Sequence, residues 1–271
     1  MHLPRWIKRL CLLLAAGYIV SCLGLVAFER SLVYLPYPGP HTPQEAGLAS
    51  YDRQTFAATD GAPIPYWEHK ADAPILLYFH GNGGGLYAFT KPLAFLATQH
   101  FHVLAMGNRG YPSAPQHPSE RALVRDAVAL YDMAHQKYPK QKIILWGYSL
   151  GSGIATQLAA TRHADALVLE APFTATVDRA AQLFPWAPVH LLMRDQYPSR
   201  EFIGRIDTPL FIMHGDGDRI IPISHGEALF ARAAEPKTFR HYAGAGHLDL
   251  IRTPAYGDAV TFIHHAMPAA Q

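Results

Sequence analysis

Four short stretches of the chain combine residue types that can carry nucleophilic chemistry. The first is Gly147-Tyr148-Ser149-Leu150-Gly151, which follows the apolar run Ile143-Ile144-Leu145-Trp146 and precedes the small residues Ser152, Gly153, Ala155 and Ala159. A serine flanked by glycines at a strand-to-helix turn can be lifted clear of the chain, because the missing Cβ atoms leave room for the sharp reversal. The N-terminus of the following helix favours negative charge developing beside the hydroxyl. Such a serine suits acyl transfer, provided that a base, an orienting acid and oxyanion donors are brought to it.

The other three stretches offer those groups. His80-Gly81-Asn82-Gly83-Gly84-Gly85 follows another apolar run, and a loop so poor in side chains lets backbone N–H groups approach a ligand closely. Leu86 stands where a dinucleotide fingerprint needs glycine, and no Gly-Lys-Ser/Thr follows, so a nucleotide loop is excluded. The N–H groups of Asn82 and Leu150 are the expected oxyanion donors, and His80 reads as a structural histidine at a strand end. His214-Gly215-Asp216-Gly217-Asp218 offers two carboxylates. Asp218 lies farther into the loop, just before Ile220-Ile221-Pro222, whereas Asp216 between two glycines reads as a turn former. Gly244-Ala245-Gly246-His247 then places one of the sixteen histidines after the acid in a glycine-rich loop, while His264 and His265 fall in a terminal helical pattern. The predicted catalytic set is Ser149, Asp218 and His247, in the chain order of α/β hydrolases rather than of chymotrypsin or subtilisin types. No His-Glu-x-x-His or comparable ligand spacing occurs, so neither a metal nor another cofactor is expected.

What must position these groups is an alternating chain. Short apolar runs at 54–59, 64–68, 75–80, 102–107, 142–148, 166–171, 210–214 and 238–242 read as strands, with helical patterns between most of them. Such alternation predicts an α/β fold, a mostly parallel, doubly wound sheet with ligands at the carboxyl ends of the strands. Between the sixth and seventh strands lies a short cap at about 172–208. Its Phe173, Trp186 and Met193 are candidate substrate-binding residues, although equally such side chains could only close the core. Arg109 could meet a substrate anion; a structural ion pair is the preferred reading.

Upstream, residues 10–28 form 19 uncharged positions of which 16 are hydrophobic. At about 1.5 Å per residue this nearly crosses a hydrocarbon core of roughly 30 Å. Arg5, Lys8 and Arg9 precede the run, a bias that places the N-terminus in the cytoplasm and the rest outside. The expected organisation is a cytoplasmic tail at 1–9, a transmembrane anchor at 10–28, a linker at 29–50 and a catalytic domain at 51–271. The setting is a single-pass inner-membrane protein facing the periplasm, with the lipid bilayer as partner through 10–28. A lipoprotein anchored at Cys22 is the alternative, since Ile19-Val20-Ser21-Cys22 loosely matches a lipidation box. Both cysteines, Cys11 and Cys22, fall in this run, so the exported part can form neither a disulfide nor a Cys-based zinc site. The whole chain has a net charge of +2, from 23 Lys+Arg against 21 Asp+Glu. Three of the basic residues belong to the tail, so the charge balance gives no support for a nucleic-acid partner.

Over residues 50 to 268 the sequence resembles the α/β-hydrolase superfamily. His80-Gly81-Asn82-Gly83, Asn108-Arg109-Gly110-Tyr111, Gly147-Tyr148-Ser149-Leu150-Gly151 and Ala171-Pro172-Phe173-Thr174 are similar to a membrane-anchored serine-hydrolase subgroup that includes protein depalmitoylases. Gly85 and Pro112 depart from that subgroup's asparagine and glycine at those positions. The resemblance supports Asp218 as the acid and implies a serine esterase or thioesterase with an acyl-enzyme on Ser149, acting on a small-molecule or acylated substrate. A serine peptidase or aminopeptidase, or a catalytically silent binding protein on the same fold, would carry a similar sequence.

Overall fold

The computed structural model describes residues 4–112 and 114–267; residues 1–3 of the expected tail and 268–271 of the expected catalytic domain lie outside that range. A helix α1 (Arg5–Val33) leads into eight sheet strands. These are β1 (Asp52–Ala57), β2 (Pro63–His69), β3 (Ile75–Phe79), β4 (His102–Met106), β5 (Ile143–Tyr148), β6 (Ala166–Glu170), β7 (Leu210–Gly215) and β8 (Lys237–Tyr242). Each run read as a strand forms one, with ends moved by at most two residues. Spatial order is β1-β2-β4-β3-β5-β6-β7-β8. Only β2 runs against its neighbours; β4-β3-β5-β6-β7-β8 pair in parallel.

Parallel strands demand crossovers, and the helices α2 (Thr90–Ala97), α3 (Glu120–Lys137), α4 (Leu150–Ala159), α8 (Ser224–Arg232) and the final α9 (Ala255–Ala266) supply the covering layers. Successive side chains alternate between faces. Ile75, Leu77 and Phe79 of β3 therefore join Leu130 of α3, Ile154 of α4 and Leu229 of α8 in one core. Leu76 and Tyr78 join Leu93 of α2 and Ile263 of α9 in the other. Because helices cover both faces, β3 needs no polar position and reads as an uninterrupted apolar run.

The cap between β6 and β7 holds three short helices, α5 (Thr176–Leu183), α6 (Val189–Leu192) and α7 (Ser199–Phe202). Helix α1 continues past the apolar run at both ends, and the segment after residue 28 does not hang free as a linker. Glu29 is buried, accepting from the backbone N–H groups of Arg194 and Asp195 at 2.7 Å and pairing with the Arg194 guanidinium at 2.8 Å. Arg30 pairs with Asp195 at 3.0 Å, and the Tyr34 hydroxyl also donates to Asp195 at 3.1 Å. Leu35–Pro36 then pairs in parallel with Gly83–Gly84 of the glycine-rich loop. Polar groups capable of such pairing sit on both partners, and a partly buried charge is stable only when paired.

Candidate active site

Strand β5 ends at Tyr148 and α4 begins at Leu150, so Ser149 carries the whole reversal with φ 49° and ψ −116°. That positive φ strains a residue with a Cβ, and the surroundings hold it there. The Ser149 N–H donates to the Glu170 carbonyl at 2.9 Å, and the Ser149 carbonyl accepts from the Ser152 N–H and hydroxyl. The glycines permit this geometry. A Cβ at Gly151 would overlap the Phe79 carbonyl, and one at Gly147 would overlap the backbone of Gly151.

The Ser149 hydroxyl lies 2.9 Å from Nε2 of His247, whose Nδ1 lies 2.6 Å from Oδ2 of Asp218. With the imidazole proton on Nδ1, facing the carboxylate, Nε2 is free to accept from Ser149. All three residues are buried. The turn after β7 presents Asp218, and the loop after β8 presents His247. Asp216 instead accepts from the Gly244 N–H at 2.6 Å, tying the two loops together.

Asp218 is surrounded by donors. Its Oδ1 accepts from the N–H groups of Ile220 and Ile221 at 2.9 and 2.8 Å, and its Oδ2 faces His214 Nε2 at 3.4 Å as well as His247. Burial alone would raise its pKa, but the bonds from His214, His247 and the Ile221 N–H outweigh it and hold the carboxyl well below the usual carboxylate range. The sequence reading missed His214 as a neighbour of this acid; its place four residues before Asp218, at the end of a strand, was the available signal.

Asn82 and Leu150 both line the cavity above Ser149. The Asn82 side-chain amide donates to the Val33 carbonyl at 3.2 Å, while the Asn82 backbone carbonyl accepts from the Leu35 N–H and the Tyr111 hydroxyl. The end of α1 thus fixes the glycine-rich loop. His80 is fully buried, with Nδ1 donating to the Gly81 carbonyl at 2.7 Å, and burial lowers its pKa to about 4. Arg109 makes bidentate pairs with Asp126 and Asp60, in keeping with its structural reading.

The cavity measures about 440 Å³, within the range of small-ligand pockets. Phe173 and Met193 line it, but Trp186 does not. Trp186 instead lies outside, its ring edge-on to Tyr18 of α1 at 6.2 Å, because Phe184 fills the wall beside it. One whole wall, unforeseen from the sequence, is helix α1: Leu25, Val26, Glu29, Leu32 and Val33. Their spacing places all five on a single helix face. No group of three or more His, Cys, Asp or Glu side chains that could hold a metal occurs among the described residues.

Behind the site Glu170 is fully enclosed, accepting from Tyr256 at 2.7 Å and Trp146 at 3.1 Å. Burial pushes its pKa up to about 7 despite both bonds. A raised folded-state pKa gives stability that is complete below the ordinary value and lost as pH climbs through about 7. Glu170→Gln keeps the acceptor oxygen and cannot ionise. Between pH 5 and 8 the wild type should therefore lose up to about 3 kcal/mol relative to the variant. Diverging melting temperatures would show it; parallel curves would refute it.

A mostly parallel sheet with a Gly-x-Ser-x-Gly turn after its fifth strand, an aspartate after the seventh and a histidine after the eighth defines an α/β hydrolase. The chain belongs to that family, and residues 74–188 match the model for the alpha/beta hydrolase fold. It is 33% identical over 237 residues to an uncharacterized protein of Mycobacterium tuberculosis, covering 83% of this chain and 84% of that one. It is 30% identical over 190 residues to lysophosphatidylserine lipase ABHD12 of Danio rerio, covering 62% of this chain and 50% of the relative. Among solved structures, the esterase Pf2001 of Pyrococcus furiosus superposes with a TM-score of 0.70 at 18% identity, covering 87% of this chain and 99% of that one. The protein is a hydrolase with esterase- and lipase-like relatives.

Proposed function

We propose that this protein is a membrane-anchored serine hydrolase that cleaves carboxylic ester or thioester bonds through an acyl-enzyme on Ser149. The observation that carries this reading is the unbroken hydrogen-bonded chain from Ser149 through His247 to Asp218 at the floor of an apolar cavity. His247 takes the hydroxyl proton as Ser149 attacks the carbonyl, and Asp218 stabilises the imidazolium and holds its tautomer. The N–H groups of Asn82 and Leu150 receive the oxyanion, each worth roughly 3 kcal/mol of barrier. His247 then protonates the leaving group, and water resolves the acyl-enzyme by the same steps.

Anchoring is read from α1, a helix of 29 residues that is long and apolar enough to cross a bilayer and is almost wholly unburied in its most apolar part. The basic residues Arg5, Lys8 and Arg9 put its start in the cytoplasm and the catalytic domain on the extracytoplasmic, periplasmic side. The apolar cavity and the lipase activity named for a relative favour substrates with an acyl chain. Rates on esters, thioesters and amides of graded acyl length test the reading. Ester and thioester turnover should exceed that of the matched amide, and comparable amide turnover would point to a peptidase instead.

A further inference from the structure

Helix α1 meets the cap between Tyr18 and Arg30. At the upper end Glu29 and Arg30 pair with Arg194 and Asp195. Far below them the Tyr18 hydroxyl donates to the Trp186 carbonyl at 3.3 Å. Tyr18 precedes Phe28 by ten residues, about 15 Å along a helix axis, or half a hydrocarbon core of roughly 30 Å. A run at 10–28 that spans the bilayer therefore carries the cap tip down beside it.

The composition of the cap tip fits that depth. Residues 183–193 contain no Asp, Glu, Lys or Arg, and Leu183, Trp186 and Leu191 turn outward, Leu191 with 86% of its surface exposed. In water this would be an unfavourable apolar surface. The charged pairs between Glu29–Arg30 and Arg194–Asp195 stand at one end of this contact, and the two segments beyond them, 10–28 and 183–193, carry no Asp, Glu, Lys or Arg. The cavity over Ser149 is lined on the side of α1 by Leu25, Val26 and Glu29 and on the side of the cap by Leu183 and Leu192, with Arg179 and Arg219 also in its wall.

We propose that the cap tip is immersed with α1 in the adjoining leaflet, and that the cleft between them is a lateral port through which one acyl chain of a membrane-resident ester or thioester reaches Ser149. The inference rests on Ser149 being the acyl-transfer nucleophile. The anchor is then a wall of the acyl site as well as a tether, and Leu25 and Val26 set chain selectivity.

The test uses the full chain in phosphatidylcholine–phosphatidylglycerol vesicles. With Cys11 and Cys22 changed to serine, a nitroxide on Leu191→Cys should collide more with oxygen than with an aqueous nickel chelate. A label reached preferentially by nickel overturns the port. Leu25→Trp, or Val26→Trp should the first not fold, narrows the cleft and should lower the kcat/KM ratio of a sixteen-carbon to a four-carbon ester by about tenfold or more. An unchanged ratio overturns the port. Fluorophosphonate labelling of Ser149 and hydrolysis of the four-carbon ester report separately on the nucleophile, so their loss in the unsubstituted protein would overturn the acyl-enzyme reading beneath it.

Discussion

Ser149→Ala should fold as the wild type does and lose turnover of an acyl ester by roughly 10⁴-fold or more. The size follows from what the hydroxyl does and what it does not do. It makes one side-chain hydrogen bond, to His247, while the strained turn is held by the Ser149 backbone bonds to Glu170 and Ser152. Alanine keeps the backbone bonds and the Cβ, so the change in stability should stay within about 1 kcal/mol. Without the oxygen no acyl-enzyme can form, and only the oxyanion donors and substrate binding remain to assist water. Because the three groups act as a unit, adding His247→Ala to Ser149→Ala should cost little more. Initial rates on a chromogenic ester, with melting temperatures of the same preparations, decide the matter. A rate near wild type in Ser149→Ala would end the acyl-enzyme account.

Asp218→Asn should lower turnover by about 10⁴-fold through the wrong imidazole tautomer. The local geometry leaves an amide no good solution. Both carboxylate oxygens face donors: the Ile220 and Ile221 N–H groups at Oδ1, His247 and His214 at Oδ2. An amide NH₂ set toward His247 forces Nδ1 to accept, which moves the proton to Nε2 and removes the base from Ser149. Set toward the two backbone N–H groups, it leaves donors opposed at a cost of about 1–3 kcal/mol. Melting curves should thus fall modestly while the rate collapses. Proton spectra of the His247 ring should show the tautomer change, and a retained wild-type tautomer with wild-type rate would refute the role assigned to Asp218.

The sheet was legible because its physics is local. Buried parallel strands need apolar side chains on both faces, so β3 to β7 stand out as short apolar runs, and the glycines around Ser149 announce a turn in which a Cβ at Gly147 or Gly151 would strike backbone. Trp186 was misplaced on the cavity wall for the same reason that the cap was hard to read at all. An aromatic side chain in a short irregular segment serves a pocket, a core or a bilayer equally well until its neighbours are known. Glu29 gave no sign of its role because a charge just beyond an apolar run reads as a boundary marker. Its partners, Arg194 and Asp195, lie 165 and 166 residues away.

Composition, periodicity and glycine placement by themselves determined an α/β hydrolase chain with an apolar N-terminal helix, and they nominated a serine, an acid and a histidine in order. Each of those properties depends on residues close together in the chain. Only the tertiary structure decided that His247 meets both Ser149 and Asp218, that His214 flanks the acid, and that the helix read as a mere tether forms one wall of the cavity. Those are contacts between segments distant in sequence, set by how the sheet orders its strands and how the cap closes on α1, and no local pattern encodes them.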